Sequence, residues 1–254
     1  MGSRLISNTR GGYEFLPAIA PYSSGVIAVP DFEIVHAVLK KPLPWHTGLL
    51  AVREYLEKSE LSRFNLCGVE LRCPTPHAMS GFIAFNRDYR VLLEEWDMLV
   101  DGENPLARTN VSPVVAPPKE TVLHGFSYSA PSKLKETTFV VAGGGELPHR
   151  DLDDQHIVRF GETSEDALME KSRCVVEIMK TRLHQLGANE HMLSTIDVYT
   201  AHPVHRILND VIIPGITTAA RIGVHWYYTR PPVQNIEFEM DMRGVRTEVV
   251  VDLQ

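Results

Sequence analysis

The sequence predicts an α+β fold of two consecutive units, each a β-sheet backed by two helices in the order ββαβαββ. Short, partly alternating apolar runs, typical of strands, are broken by proline or glycine. Between them lie segments in which apolar residues recur every three or four positions, as they do on one face of a helix. The order of these segments repeats in the second half of the 254-residue chain, which indicates an internal duplication.

In the first unit the clearest helix signal is the spacing of Phe82, Phe85, Tyr89, Leu92 and Trp96, whose intervals of three and four mark one buried face. The predicted elements are strands over 25–29 and 32–39, a helix around 49–56, a strand over 66–71, a helix over 82–99, and strands over 109–115 and 121–128.

The second unit repeats this order after a boundary near residues 127–135. Thr163 or Ser164 can cap the N-terminus of its long helix, and Gly187 is a natural stop. The predicted elements are a strand over 137–142, a helix over 164–186, a strand over 193–200, a helix around 204–213, and strands over 222–228 and 233–242. We therefore place the two domains at 12–129 and 130–254.

The closing strand carries the strictest alternation in the chain, with apolar residues on one face and three acids on the other. The apolar face is expected to be buried and consists of Ile236, Phe238, Met240 and Met242. The register between the halves is set by two repeated features, Ala107-Arg108 with Ala220-Arg221 and the double prolines that begin at Pro117 and Pro231.

The charge balance and the cysteines narrow the classes of function. Lys plus Arg is 25 and Asp plus Glu is 32, so the formal charge is −7. An acidic chain without a basic stripe is a poor match for nucleic acid, which is bound through its phosphates. No apolar run approaches the ~20 residues of a membrane span, and the 3 cysteines lack a C-x-x-C pair. We expect a cytoplasmic protein that acts on a small molecule, without nucleic acid or a membrane as partner.

An arginine and an acid in the second half form the first candidate site. Arg221 opens the predicted strand over 222–228, where its planar guanidinium suits a carboxylate ligand. Glu237 follows on the polar face of the last strand, and a hairpin across Pro231 and Pro232 would return it toward Arg221. Such an acid can position or deprotonate water beside a bound carboxylate. The alternative is a surface ion pair on an exposed acidic strand face.

The first half keeps the arginine but not the acid. His124 takes the place of the acid after Arg108, and His36 falls where the second half has Ala142. Two histidines and an arginine allow a different site, even a metal site, or they are structural residues. The glycine run 143–145 follows a strand and is either an anion cradle of backbone N–H groups or a tight turn.

Several of these segments resemble the RidA (YjgF) enamine/imine deaminase family. Residues 17–26, PAIAPYSSGV, are similar to its opening PxAIGPYSQAV. Residues 107–112 and 220–225, ARTNVS and ARIGVH, both resemble its ARxxVxV strand, and residues 236–239, IEFE, resemble its closing VEIEAIA. The resemblance covers nearly the whole chain twice and implies two tandem RidA-like domains of the chorismate-mutase-like fold.

The resemblance implies hydrolysis of a reactive imine or enamine to a ketone with release of ammonia, and no cofactor. Relatives of this fold also act on aminomuconates. At the matching positions, Arg221 would pair with the substrate carboxylate and Glu237 would position water. The other implied binding positions are Tyr128, Ala142, Gly143 and Asn209 in the second unit, and Tyr22, His36, Asn86, Arg108 and His124 in the first. Ala142 replaces the serine of the family, and Gly223 stands where a cysteine or threonine is common.

Family members are usually trimers with sites between neighbouring subunits. A duplicated chain closes most simply as a homotrimer of six domains, because two domains cannot fill a three-membered ring evenly. The alternative function is a ligand-binding or scaffold protein of the same fold without catalysis. In that case ligand affinity would depend on Arg221 but not on Glu237.

Overall fold

The computed structural model describes residues 4–148 and 152–254. The strands in this part of the chain are β1 (Ile6–Asn8), β2 (Tyr13–Ile19), β3 (Tyr22–Ala28), β4 (Phe32–Pro44), β5 (Leu66–Arg72), β6 (Ala107–Pro113), β7 (Val122–Pro131), β8 (Phe139–Gly145), β9 (Thr195–Thr200), β10 (His225–Arg230), β11 (Glu239–Gly244) and β12 (Thr247–Val251). They form one sheet with the order β1-β2-β3-β8-β11-β9-β10-β6-β5-β7-β4-β12, and β3 also pairs with β6. The predicted α+β class is confirmed.

The helices are α1 (Trp45–Lys58), α2 (Met79–Glu95), α3 (Glu165–Gln185), α4 (His205–Ile207), a π-helical segment (Leu208–Ile212), α5 (Ile213–Gly215) and α6 (Ala219–Ile222). Short 3₁₀ turns occur in the same part of the chain at Arg63–Asn65, Asp154–His156 and Glu190–Met192. The predicted ends of the long α3 are confirmed. Ser164 accepts a hydrogen bond from the backbone N–H of Ala167 at its start, and Gly187 takes a φ of 77° beyond its end. Within the described residues, no helix has the length and apolar character needed to cross a membrane.

The same strand order occurs twice in the sheet. In the first half, β4, α1, β5, α2, β6 and β7 give the order β4-β7-β5-β6, in which the last strand lies between the first two. In the second half, β8, α3, β9, the helices α4–α6, β10 and β11 give the order β8-β11-β9-β10. Each order places a helical crossover between parallel strands, because parallel strands need a long connection.

The two halves also exchange edge strands across the predicted boundary at 129/130. The β2–β3 hairpin belongs to the first half in sequence, but β3 pairs antiparallel with β8, for example Val26 opposite Val140. The C-terminal β12 in turn pairs in parallel with β4, with Val249 opposite Ala37. The sheet is therefore continuous between the halves, and residues from both meet where the edges join.

The helices pack on the sheet and form two large apolar cores, one around α1 and α2 and the other around α3 to α6. Leu49, Val52 and Leu56 of α1 lie in the first core, as their spacing predicted. Val175 and Met179 of α3 lie in the second. Each such side chain removed from water stabilises the fold by roughly 1.5–3 kcal/mol, so these cores hold the helices firmly against the strands.

The closing strand confirms one half of its prediction and corrects the other. Its four apolar side chains are buried, as expected. The opposite face is not an exposed acidic surface, because Glu239 and Asp241 are each only 5% exposed. The other half of the chain covers them, and the Thr109 hydroxyl donates to Asp241 over 2.7 Å.

Two local predictions around Arg221 are wrong. Residues 219–222 form the helical turn α6, and the strand begins only at His225. The expected hairpin across Pro231 and Pro232 is also absent, since β9 lies between β10 and β11. The pairing of β9 with both β10 and β11 keeps these two strands apart, although the two prolines favour a tight turn between them. Arg221 is exposed on its helical turn.

Candidate active site

A cavity of about 480 Å³ lies where the two halves of the chain meet. Its walls come from both halves. Tyr22 of β3, Phe82 of α2 and Arg108 of β6 contribute from the first, and Gly143 of β8, Arg182 of α3 and Glu239 of β11 from the second. A volume of this size suits a small organic ligand.

Arg108 provides the buried positive charge of this cavity and is only 4% exposed. Its guanidinium carbon lies 4.7 Å from the ring centre of Tyr89, 5.1 Å from that of Tyr22 and 5.5 Å from that of Phe85. Its Nη2 donates to the side-chain oxygen of Asn86. The aromatic rings and this bond hold the guanidinium in one orientation.

Arg108 forms no ion pair with a carboxylate of the described residues. Its Nη1 has no hydrogen-bond partner among them. Burial lowers the pKa of Arg108, but an arginine stays charged in proteins. A buried, unpaired cation is costly, and an anionic ligand would remove that cost.

Arg182 and the glycine run form the opposite wall of the cavity. The Nη1 of Arg182 donates to the carbonyl oxygens of Ala142, at 2.9 Å, and Gly143, at 3.0 Å. The glycines belong to β8 and are neither a tight turn nor an anion cradle. The N–H of Gly143 donates to the Thr109 hydroxyl over 3.1 Å, so this N–H group is not free to hold a substrate oxygen as expected.

Gly143 makes room for the acid of the site. The pairing of β8 with β11 shifts register between Met240 and Met242, which places a β-bulge opposite Asp241. A Cβ on Gly143 would lie only 2.3 Å from Glu239 Oε1. The absence of a side chain therefore lets the Glu239 carboxyl rest against the strand backbone at the cavity wall.

Burial favours the acid form of the Glu239 carboxyl group. Burial raises its pKa well above the usual range, and Asp241 adds to the rise, while Arg182 and Arg108 oppose it. Burial likewise raises the pKa of the Tyr22 phenol, with the same two arginines opposing. The cavity thus combines fixed positive charge with a carboxyl group whose acid form is favoured by burial, an arrangement that suits general acid catalysis on an anionic substrate.

The structure brings only some of the residues predicted from sequence together here. Tyr22, Arg108 and Gly143 line the cavity, Asn86 touches Arg108, and the Ala142 carbonyl fixes Arg182.

The other predicted residues lie elsewhere. Arg221 is on the exposed turn α6, and Asn209 is exposed in the π-helical segment. Glu237 precedes β11 and pairs with His202, whose Nε2 is 2.9 Å from Glu237 Oε2. The expected meeting of Arg221 with Glu237 therefore does not occur at this cavity, and neither residue lines it.

Tyr128, His124 and His36 lie on strands of the first half and do not line the cavity. The Tyr128 hydroxyl lies 3.4 Å from that of Tyr55, and burial raises its pKa. Burial, reinforced by Arg72, lowers the pKa of His124 to about 4, so its ring is neutral. His36 contacts two carboxylates through its ring nitrogens, at 2.7 and 3.1 Å. No cluster of three or more potential metal ligands occurs in residues 4–148 and 152–254.

Sequence reasoning missed Glu239, Arg182 and Asn110, which all line the cavity. Glu239 shares a strand face with Glu237 by the two-residue alternation, so the pattern contained it but did not single it out. Arg182 and Asn110 carried no such signal. Their roles depend on contacts between distant parts of the chain.

Several solved structures are similar to this chain at low identity. A chorismatase is 10% identical, covers 91% of this chain and 81% of its own, and has a TM-score of 0.45. The TdcF protein of E. coli with bound serine is 15% identical and has a TM-score of 0.26, and the match covers 46% of this chain and 85% of that protein. The YjgF gene product of E. coli is 13% identical and has a TM-score of 0.25, and the match covers 43% of this chain and 80% of that protein.

Sequence comparison gives a closer match along the whole chain. The 2-amino-5-chloromuconate deaminase of Comamonas testosteroni is 36% identical over 248 residues, which are 95% of this chain and 96% of that protein. The family model described as 2-aminomuconate deaminase CnbZ matches residues 5–249. This chain therefore belongs to the 2-aminomuconate deaminase CnbZ family.

Proposed function

We propose that this protein is a deaminase that hydrolyses 2-aminomuconate or a close analogue at the cavity between its two halves. Membership of the family supports the substrate class. The observation that carries the assignment to this cavity is the buried guanidinium of Arg108, whose Nη1 has no hydrogen-bond partner among the described residues. The buried acid Glu239 lines the same cavity. An anion-binding group and a proton donor are what the reaction needs.

The chemistry of 2-aminomuconate fits these groups. The compound is a flat, six-carbon dienedioate with an amino group on the carbon next to one carboxylate, so it is both an enamine and a dianion. Arg108 takes a carboxylate into the cavity and neutralises its charge there. Arg182 on the opposite wall adds positive potential, although its Nη1 is engaged with the backbone.

Glu239 carries the proton transfers. As an acid it protonates the carbon chain of the enamine, and the electron pair of nitrogen forms the C=N bond of an iminium ion. The Glu239 carboxylate then accepts a proton from water as the water oxygen bonds to the carbon of the C=N bond. Glu239 then gives this proton to nitrogen, the C–N bond breaks, ammonia leaves, and the hydroxyl proton returns to Glu239 as the ketone forms. One water is consumed and no redox partner is needed.

The test measures ammonia release from freshly prepared 2-aminomuconate and 2-amino-5-chloromuconate. Wild type should accelerate release, and Glu239→Gln should reduce kcat by about 10²–10⁴-fold, the usual contribution of a general acid. Glu237→Gln, two residues away, makes the same chemical change outside the cavity and should retain most activity. A loss confined to Glu237→Gln would return the catalytic acid to the position expected from sequence. A wild type inert on both compounds would refute the proposed function.

We further propose that the two repeated strand orders are tandem RidA-like domains and that the cytoplasmic chain assembles as a homotrimer. The repeated order and the continuous sheet support the first point. Closed symmetry supports the second. Light scattering coupled to size-exclusion chromatography tests the assembly, and a solution mass of one or two chains would contradict it.

A further inference from the structure

Asn110 is a buried amide at the cavity that no partner satisfies. It is 3% exposed and lines the cavity wall. Among the described residues, neither its Nδ2 nor its Oδ1 has a hydrogen-bond partner. Buried polar side chains in native proteins are nearly always paired, and an unpaired one requires an explanation.

The position of Asn110 on β6 ties it to Arg108. Side chains two apart on a strand point to the same face, so Arg108, Asn110 and Ser112 form one row. Arg108 and Asn110 line the cavity, whereas Ser112 does not. With no hydrogen bond to fix its terminal torsion, which is intrinsically soft, the Asn110 amide is free to turn its edge toward a ligand.

An amide edge offers a donor and an acceptor side by side. A 2-amino carboxylate of the enamine type presents the complement, an N–H donor beside a carboxylate oxygen. Asparagine reads the N6–H and N7 edge of adenine through the same pair of bonds. We propose that Asn110 binds the amino-carboxylate end of the substrate, donating through Nδ2 to the carboxylate and accepting at Oδ1 from the amino group.

The spacing along the strand leaves the far carboxylate for Arg108. Two residues along a strand span ~6.7 Å, and the five C–C bonds of an extended six-carbon chain span ~6 Å. This arrangement rests on the proposed function for its ligand, and it adds a basis for selectivity. The ketone product has a carbonyl oxygen where the substrate has the N–H, so it cannot donate a hydrogen bond to Asn110 Oδ1. The product therefore binds more weakly than the amine substrate.

The test uses a matched pair of probes, pyrrole-2-carboxylate and furan-2-carboxylate. They have the same shape and charge, but the pyrrole has an N–H donor beside the carboxylate and the furan has an oxygen. Calorimetric titration of wild type should give a Kd at least about tenfold lower for the pyrrole, the effect of one hydrogen bond to a buried amide. Asn110→Leu should bring the ratio of the two Kd values close to one. Ser112→Ala, on the same strand face but outside the cavity, should keep the wild-type ratio.

Equal affinities in wild type, binding of neither probe, or a preference that survives in Asn110→Leu would each overturn the inference. The wild-type ratio decides the matter even if Asn110→Leu does not fold. Because binding is measured without turnover, the outcome is separate from that of the proposed function. A wild type that prefers the pyrrole but releases no ammonia keeps the donor-acceptor site and loses the deaminase assignment.

Discussion

Gly143→Ala tests how closely the position of the acid is tied to the strand beneath it. The added Cβ would lie 2.3 Å from Glu239 Oε1 and 3.0 Å from Thr109 Cγ2, whereas ordinary contact begins at 3.4 Å. The carboxyl must therefore retreat by about 1 Å, and a displacement of about 1 Å at a reacting group lowers rates about 10²-fold. The overpacking should also cost roughly 1–3 kcal/mol of folding stability.

The assay is kcat for ammonia release at a temperature well below the thermal midpoint of the variant, so that loss of activity is not loss of fold. Gly81→Ala in α2 is the matched control, because its Cβ would meet the nearest atom at 3.8 Å, in ordinary contact. That variant should keep its activity. A folded Gly143→Ala protein within about threefold of wild type would refute the reasoning, because the 10²-fold loss follows from the forced shift of Glu239.

Three further predictions concern charged groups. Activity should fall as pH rises through the elevated pKa of Glu239, since the acid form is the donor, and Glu239→Gln should remove that limb from the pH profile of kcat/KM. Burial lowers the pKa of His36, but Glu70 and a second carboxylate more than offset this and raise it from 6.5 to about 9. The folded state thus holds the His36 proton more tightly than the unfolded state does. The stabilisation of the fold by this protonation is therefore complete below pH 6.5 and disappears as pH rises through about 9. Urea denaturation should show this loss of stability in wild type and less of it in His36→Gln. Lys171→Met leaves the buried Glu146 without the ammonium 3.0 Å away and should destabilise by about 3–5 kcal/mol; a thermal midpoint equal to that of wild type would count against it.

The parts of the fold that depend on local periodicity were predictable. Ser164 and Gly187 bounded α3 because capping and positive φ act over one turn. The buried face of β11 followed from strict alternation, which reports burial on one side of a sheet. The class of chemistry was also within reach, because the resemblance included aminomuconates among the substrates of related proteins.

The site was only half predictable, because it is assembled from both halves. Arg108 and Tyr22 were identified by their motifs, but their acidic partner comes from β11, more than a hundred residues away. The repeated Ala-Arg motif favoured Arg221, although the second copy lies on a helical turn. Nothing local distinguishes a strand start from a helical turn there. The choice between Glu237 and Glu239 depended on where β11 begins, and the alternation of the segment does not reveal that residue.

The central claim is that the working arginine is Arg108, at the junction of the halves, and it is tested most directly by comparing kcat/KM for 2-aminomuconate in Arg108→Ala and Arg221→Ala. The account predicts a loss of at least about 10²-fold in Arg108→Ala, because the substitution removes both a charged hydrogen bond and the buried cation that binds the substrate carboxylate. Arg221→Ala, which removes an exposed guanidinium, should stay within about twofold of wild type. The reverse pattern, with Arg221→Ala inactive and Arg108→Ala active, would contradict the account.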